Sequence, residues 1–223
     1  MKPVALVTGA SGKLGRVIAD WLALQGYSLV LHGFRKRPGL IAAGDQVIMA
    51  DFASHEGLEP LCRRLAAGDI SLLVNSASSF ERGEFATMTH DQLATAFAIN
   101  LHAPVALMQA MARGLAQSGL GQGLVIHLLD AKIERAHSAW AAYTLSRKAL
   151  AAAAGMAAVE YAGLMRINAV APRLIADASA GNDSETVAGL LDCFGRIVHS
   201  PRLNAACLFL DGRARSLAAL AGV

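Results

Sequence analysis

Charge is scarce in this chain, aromatic residues are scarcer, and cysteine is nearly absent. Of 223 residues, 17% are charged and 5% aromatic, and the net charge is only +3. So mild a balance argues against a nucleic-acid surface, and each small basic cluster needs a local explanation. Cys62, Cys193 and Cys207 form no Cys-x-x-Cys pair. An odd count of cysteines with no leader predicts reduced thiols in the cytoplasm. The start, Met1-Lys2-Pro3, runs directly into an apolar strand and leaves no room for a leader. The longest apolar run, Ala149 to Val159, lies between Lys148 and Glu160 and is too short to span a bilayer. The seven histidines lack metal-ligand spacing, so no metal is expected.

What is abundant is small and apolar. Hydrophobic residues make up 54% of the chain, which is ample for one core at this length. Short apolar runs at Val4–Thr8, Ser28–His32, Gln46–Ala50, Leu72–Asn75, Gly123–Leu128, Arg166–Val170 and Ala206–Leu210 read as strands. Helical patterns separate them at Lys13–Gln25, Glu56–Ala67, Asp91–Gln117, Ala139–Tyr161 and Ser184–Val198. This alternation predicts parallel βαβ units: an α/β, doubly wound sheet of about seven strands with helices on both faces. No repeat or linker divides the chain. The small, polar stretch Ala176–Ser184 is the candidate mobile loop.

The first strand ends in Thr8-Gly9-Ala10-Ser11-Gly12-Lys13-Leu14-Gly15 and opens a helix. Glycine permits unusual backbone angles and close approach of a ligand, and the helix N-terminus offers unpaired N–H groups to a pyrophosphate. Any βα turn containing glycines is the plainer alternative. After the second strand come Arg35-Lys36-Arg37, with no carboxylate before Asp45. That favours the 2′-phosphate of NADP over the free ribose of NAD, against the alternative of a solvated basic turn. Asp51, ending the third strand, could accept a hydrogen bond from adenine. Asn100 lies in an otherwise apolar helix, where an amide needs a partner. Tyr143 follows Asp130 by thirteen residues, and Arg147 shares the Tyr143 helix face while Lys148 turns away. A phenol beside a fixed cation is expected to ionise more readily and to serve as a proton donor or acceptor.

These residues together resemble the short-chain dehydrogenase/reductase family over nearly the whole chain. The family's TGxxxGxG turn matches Thr8, Gly9 and Gly15, with Lys13 replacing one glycine. Its NNAG motif appears as Asn75-Ser76-Ala77-Ser78, and its YxxxK motif falls on Tyr143 and Arg147. Lys13, the string Ala77-Ser78-Ser79-Phe80 and Asp130 in the usual serine position resemble the pteridine reductase branch. Ile126-His127-Leu128-Leu129-Asp130, Glu134-Arg135 and Ala171-Pro172-Arg173-Leu174-Ile175 are most similar to bacterial dihydromonapterin reductases.

The resemblance implies a single NADP-binding Rossmann domain over 1–223, with a short substrate-loop segment near 176–204. It implies NADP(H) held by Thr8, Gly9, Ser11, Lys13, Leu14, Gly15, His32, Arg35, Lys36, Asp51, Phe52, Asn75, Ala77 and Pro172. It assigns catalysis to Tyr143, Asp130, Arg147 and Asn100, and assigns a pterin-like substrate to Ser78, Phe80, Asp130 and Tyr143. Phe80 would stack on the pterin, with loop packing as the alternative. Arginine in place of the family's lysine cannot release a proton at ordinary pH. A carbonyl reductase of another small substrate, or a non-catalytic NADP-binding protein, are therefore the competing readings. The partners expected are a small-molecule substrate and copies of the chain itself, as a homodimer or homotetramer, with neither nucleic acid nor membrane.

Overall fold

The computed structural model describes residues 2–135, 139–173 and 184–221. The expected loop at 176–183, and Leu174 and Ile175 before it, lie outside the described residues. Seven strands run parallel: β1 (Val4–Val7), β2 (Ser28–Gly33), β3 (Gln46–Met49), β4 (Ile70–Asn75), β5 (Gly123–Leu128), β6 (Met165–Ala171) and β7 (Ala206–Phe209). Their order is β3-β2-β1-β4-β5-β6-β7. The chain thus reverses its direction of travel across the sheet between β1 and β4, which opens a crevice at the carboxyl ends of those two strands.

The helices are α1 (Lys13–Leu24), α2 (His55–Ala66), α3 (His90–Phe97), α4 (Ala103–Ser118), α5 (Ala141–Glu160), α6 (Ser184–Val198) and the short α7 (Leu217–Ala221). Side chains alternate faces along each strand. Leu6 of β1 enters the core shared with α2, α4, α5 and α7, whereas Ala5 and Val7 enter the core shared with α1 and α6. Both faces of the sheet are therefore apolar, which is why its strands read as continuous hydrophobic runs. The stretch His90–Ser118 is the one described segment long and apolar enough to cross a membrane. It buries Leu107, Met108, Met111 and Leu115 against the sheet.

Two features depart from the expected pattern. An eighth strand, β8 (Ala214–Ser216), returns antiparallel to β7. The turn between them passes through Gly212 at φ 85°, and Glu134 holds Arg213 and Arg215 at 3.2 and 2.9 Å. Second, the helix expected to be continuous from Asp91 to Gln117 is interrupted by one π turn, Ala98–His102, between α3 and α4. Asn100 sits in that turn with none of its surface exposed.

Candidate active site

The turn after β1 is tied to its neighbours on both sides. Thr8 Oγ1 accepts the N–H groups of Ser76 and Ala77 at 2.9 and 3.0 Å, so its hydroxyl fastens the turn to the loop leaving β4. Gly9 has φ +67°, and a Cβ there would lie 2.9 Å from the Ala77 backbone. A Cβ on Gly15 would collide with the Gly9 carbonyl, so the helix can start this close only without a side chain. On the other side the Gly9 N–H donates to His32 Nδ1 at 3.1 Å, while His32 Nε2 lies 3.1 Å from the Ala50 carbonyl. The ring also stacks on Phe52 at 4.2 Å. Burial lowers the His32 pKa, and the contacts fit the neutral Nε2–H tautomer. His32 therefore acts here as a brace between the turn, β2 and β3.

A cleft of about 680 Å³ opens along the carboxyl ends of the strands. Gly9, Ser11, Gly12, Lys13, Leu14 and Gly15 form its middle. His32, Arg35, Lys36, Asp51 and Phe52 border one end, and Ala77, Ser78, Phe80, Leu128 and Arg147 the other. Helix α1 begins at this cleft with no acidic residue in its first turn, so the helix itself sets no negative charge against its N-terminal partial charge; Asp51 and Glu81 are the carboxylates that border the cleft. Asp51 Oδ1 accepts the Ala53 N–H at 2.9 Å. Thr8, Asn75 and Pro172 do not border the cleft; Thr8 and Asn75 lie beneath it, and the Pro172 carbonyl accepts the Ala131 N–H at 3.0 Å. Asn75 Nδ2 meets His127 Nδ1 at 3.3 Å, while its buried Oδ1 has no partner.

Next to the cleft is a buried cluster drawn from β5, the π turn and α5. Tyr143 donates its O–H to Asp130 Oδ2 at 3.3 Å, and Asp130 Oδ1 accepts the Lys132 N–H at 2.8 Å. Asn100 accepts the Ser79 N–H and donates to the Ser79 carbonyl, both at 2.9 Å, and donates to Ser146 Oγ at 3.0 Å. Ser146 in turn donates to the Tyr143 carbonyl at 2.9 Å. Asn100 thus positions the loop after β4 against the first turns of α5, and both of its amide hydrogens are committed to that task. The Arg147 guanidinium lies 5.4 Å from the Tyr143 ring centre, one helical turn on, with Nε and Nη1 buried and unpartnered. Lys148 is on a different, half-buried face.

Two expectations need correction. The Arg147 charge does favour the phenolate, but burial outweighs it and holds the Tyr143 pKa up at about 12. Burial likewise raises the Asp130 pKa. In addition, neither Tyr143 nor Asp130 borders the main cleft: both are buried, Tyr143 to 2% exposure. Phe80, which does border it, packs edge-to-face on Tyr143 at 4.7 Å and stacks on Trp140 at 4.2 Å. Trp140, Ser146 and His127 were not singled out from sequence as site residues. Trp140 and Ser146 stand three residues on either side of Tyr143, which is the signal that could have found them.

A family model described as enoyl-(acyl carrier protein) reductase, within the short-chain dehydrogenase/reductase group, matches residues 9–216. The chain belongs to the short-chain dehydrogenase/reductase family. Among short-chain reductases, it is 30% identical to pteridine reductase 1 of Leishmania tarentolae over 220 residues, covering 77% of this chain and 76% of that one. It is 28% identical to the dihydromonapterin reductase of Enterobacter sp. (strain 638) over 175 residues, covering 76% and 73%. In fold it superposes on the NADP complex of FolM alternative dihydrofolate reductase 1 from Brucella suis with a TM-score of 0.77, at 22% identity over 93% of each chain.

Proposed function

We propose that this chain is an NADPH-dependent reductase of a dihydropterin-like heterocycle, in which Tyr143 delivers the proton. The observation that carries this reading is the buried hydrogen bond from the Tyr143 phenol to the Asp130 carboxyl, beside an aromatic ring that borders a dinucleotide-sized cleft. The names of the relatives support the substrate class. The residues present fit the cofactor at three points. Gly9 and Gly15 let the turn and the start of α1 close tightly against their neighbours beside the cleft, α1 carries no acidic residue in its own first turn, and Arg147 has two buried donors without partners.

When bound, the cofactor supplies a hydride. The rest is done by the chain. The first-turn N–H groups of α1 would hold the pyrophosphate, Arg35 and Lys36 would take the 2′-phosphate, and Asp51 would accept from the adenine. Phe80 offers its ring face to the heterocycle, with Ser78 beside it. Tyr143 meets the Phe80 ring edge-to-face at 4.7 Å, one ring in from the cleft. A phenol whose pKa is raised keeps its proton until an acceptor of developing negative charge is placed against it, which suits a donor. Asp130 is the adjacent carboxyl able to return a proton to Tyr143, a role Arg147 cannot fill. Arg147 contributes a fixed charge that opposes the effect of burial on the phenol.

The test is NADPH oxidation with a panel of dihydropterins and simple ketones. Turnover of the dihydropterins in preference to ketones is expected; turnover of ketones alone would replace the substrate class with that of a carbonyl reductase. Arg35→Ala should reduce the preference for NADPH over NADH, as read from the ratio of kcat/KM values. The arginine in the lysine position favours a second reading, a non-catalytic NADP-binding protein, which tight NADPH binding with no turnover would establish. The chain assembles with copies of itself in the cytoplasm: α5 turns Leu145, Met156 and Val159 outward at 41%, 73% and 77% exposure, an apolar stripe suited to a second copy.

A further inference from the structure

The loop that carries Phe80 has no regular secondary structure between β4 and α3, yet it is held at several points. Asn100 clamps Ser79 through both amide groups. Gly83 donates its N–H to the Ala139 carbonyl at 3.0 Å and accepts the Ala141 N–H at 3.1 Å, a two-bond bridge flanking Trp140. Between these anchors the Phe80 backbone is fixed, but its ring would still be free to turn about χ1 and χ2. The Tyr143 ring limits that freedom edge-to-face at 4.7 Å, and the indole of Trp140 limits it along the ring face: the two stacked rings lie 4.2 Å apart and 14° from parallel. Phe80 remains 41% exposed and borders the cleft, whereas Trp140 is half-buried and does not. The indole therefore lies behind the phenyl ring and leaves the cleft side open.

We infer that Trp140 is a positioning residue for substrate recognition, backing the Phe80 ring so that its open side presents a fixed plane to a flat heterocycle. The inference rests on the reading of the cleft as that of a heterocycle reductase. Stacking on a preset ring loses less freedom than stacking on a rotating one, and the aromatic pair itself favours the parallel arrangement. A substrate without a flat ring gains nothing from the plane, so the effect of Trp140 is selective.

The experiment compares Trp140→Leu, which fills space without a ring, with Trp140→Phe, which restores one. Trp140→Leu should raise the KM for 7,8-dihydropterin roughly three- to tenfold with a smaller change in kcat. The NADPH dissociation constant and the KM for cyclohexanone should stay as in the wild type, and Trp140→Phe should recover most of the dihydropterin KM. A fall in dihydropterin and ketone turnover together, or Leu and Phe variants alike, would overturn the inference. Wild-type protein that neither binds nor reduces dihydropterin would overturn the parent reading as well. Wild-type turnover with an unaffected Trp140→Leu variant would overturn this inference alone. In a Trp21→Phe background Trp140 is the sole tryptophan. Its emission should shift on Phe80→Ala, and an unchanged spectrum would deny the stack in solution.

Discussion

Among the described residues, Arg147 has the largest unmet demand for hydrogen-bond partners. Its side chain is 1% exposed, and two of its nitrogens lack partners. A buried charge in that condition is destabilising unless something supplies acceptors. Arg147→Met should therefore stabilise the ligand-free chain by about 1–4 kcal/mol in urea titration, while weakening NADPH binding. Arg147→Lys should give equal or higher turnover, and a large loss would show the guanidinium to be a specialised part. The same neighbourhood sets the pH limits of the fold. Burial, with help from Arg147, holds the His127 imidazole down at about 3 rather than 6.5. Below pH 6.5 the unfolded chain takes up a proton that the folded chain refuses, so stability falls as pH drops toward 3. Tyr143 works in the other direction. Its folded pKa of about 12 lies above the usual 10, so the unfolded chain loses its proton first and stability falls as pH rises between those values. Unfolding measured across pH should show both declines. His127→Gln should reduce the acid limb, with His32 supplying the remainder, and Tyr143→Phe should flatten the alkaline one.

At the scale of elements, the β1–α1 turn gives a clean contrast. A Cβ on Gly15 meets the Gly9 carbonyl, whereas one on Gly12 finds only that same oxygen at 3.3 Å, with the backbone in the extended region. Gly15→Ala should lower stability by about 1–3 kcal/mol and weaken NADPH binding, while Gly12→Ala should leave the thermal midpoint nearly unchanged. The parallel strands and long helices were legible in the sequence to within a residue or two, because apolar runs on a two-sided sheet and stripes on helices carry strong periodic signals. β8 was not, since Ala214–Ser216 is short, exposed and held by ion pairs from Glu134 instead of by burial. The site was legible as a set of residue types and spacings. The burial of Tyr143 was not, because it depends on Phe80 arriving from a separate loop, and the position of that loop depends on Gly83 meeting Ala139 and Ala141.

At the scale of the whole molecule, the outer face of α5 is the feature that a single chain leaves unexplained. Within one chain Met156 and Val159 of this mostly apolar helix remain open to water. Met156→Glu combined with Val159→Lys should leave the fold intact and shift the assembly to monomer in analytical ultracentrifugation; an unchanged sedimentation coefficient would place the contact elsewhere. The π turn at Ala98–His102 has a reach well beyond Asn100. One surplus residue in a helix advances everything after it by about 100° around the axis. The inward stripe of α4, Leu107, Met108, Met111 and Leu115, is in phase with the sheet only because that surplus is there. Deleting a single residue between 98 and 102 would then turn this oily stripe sideways as well as unhook an amide, so the loop after β4 and the packing of the core are adjusted by one shared irregularity.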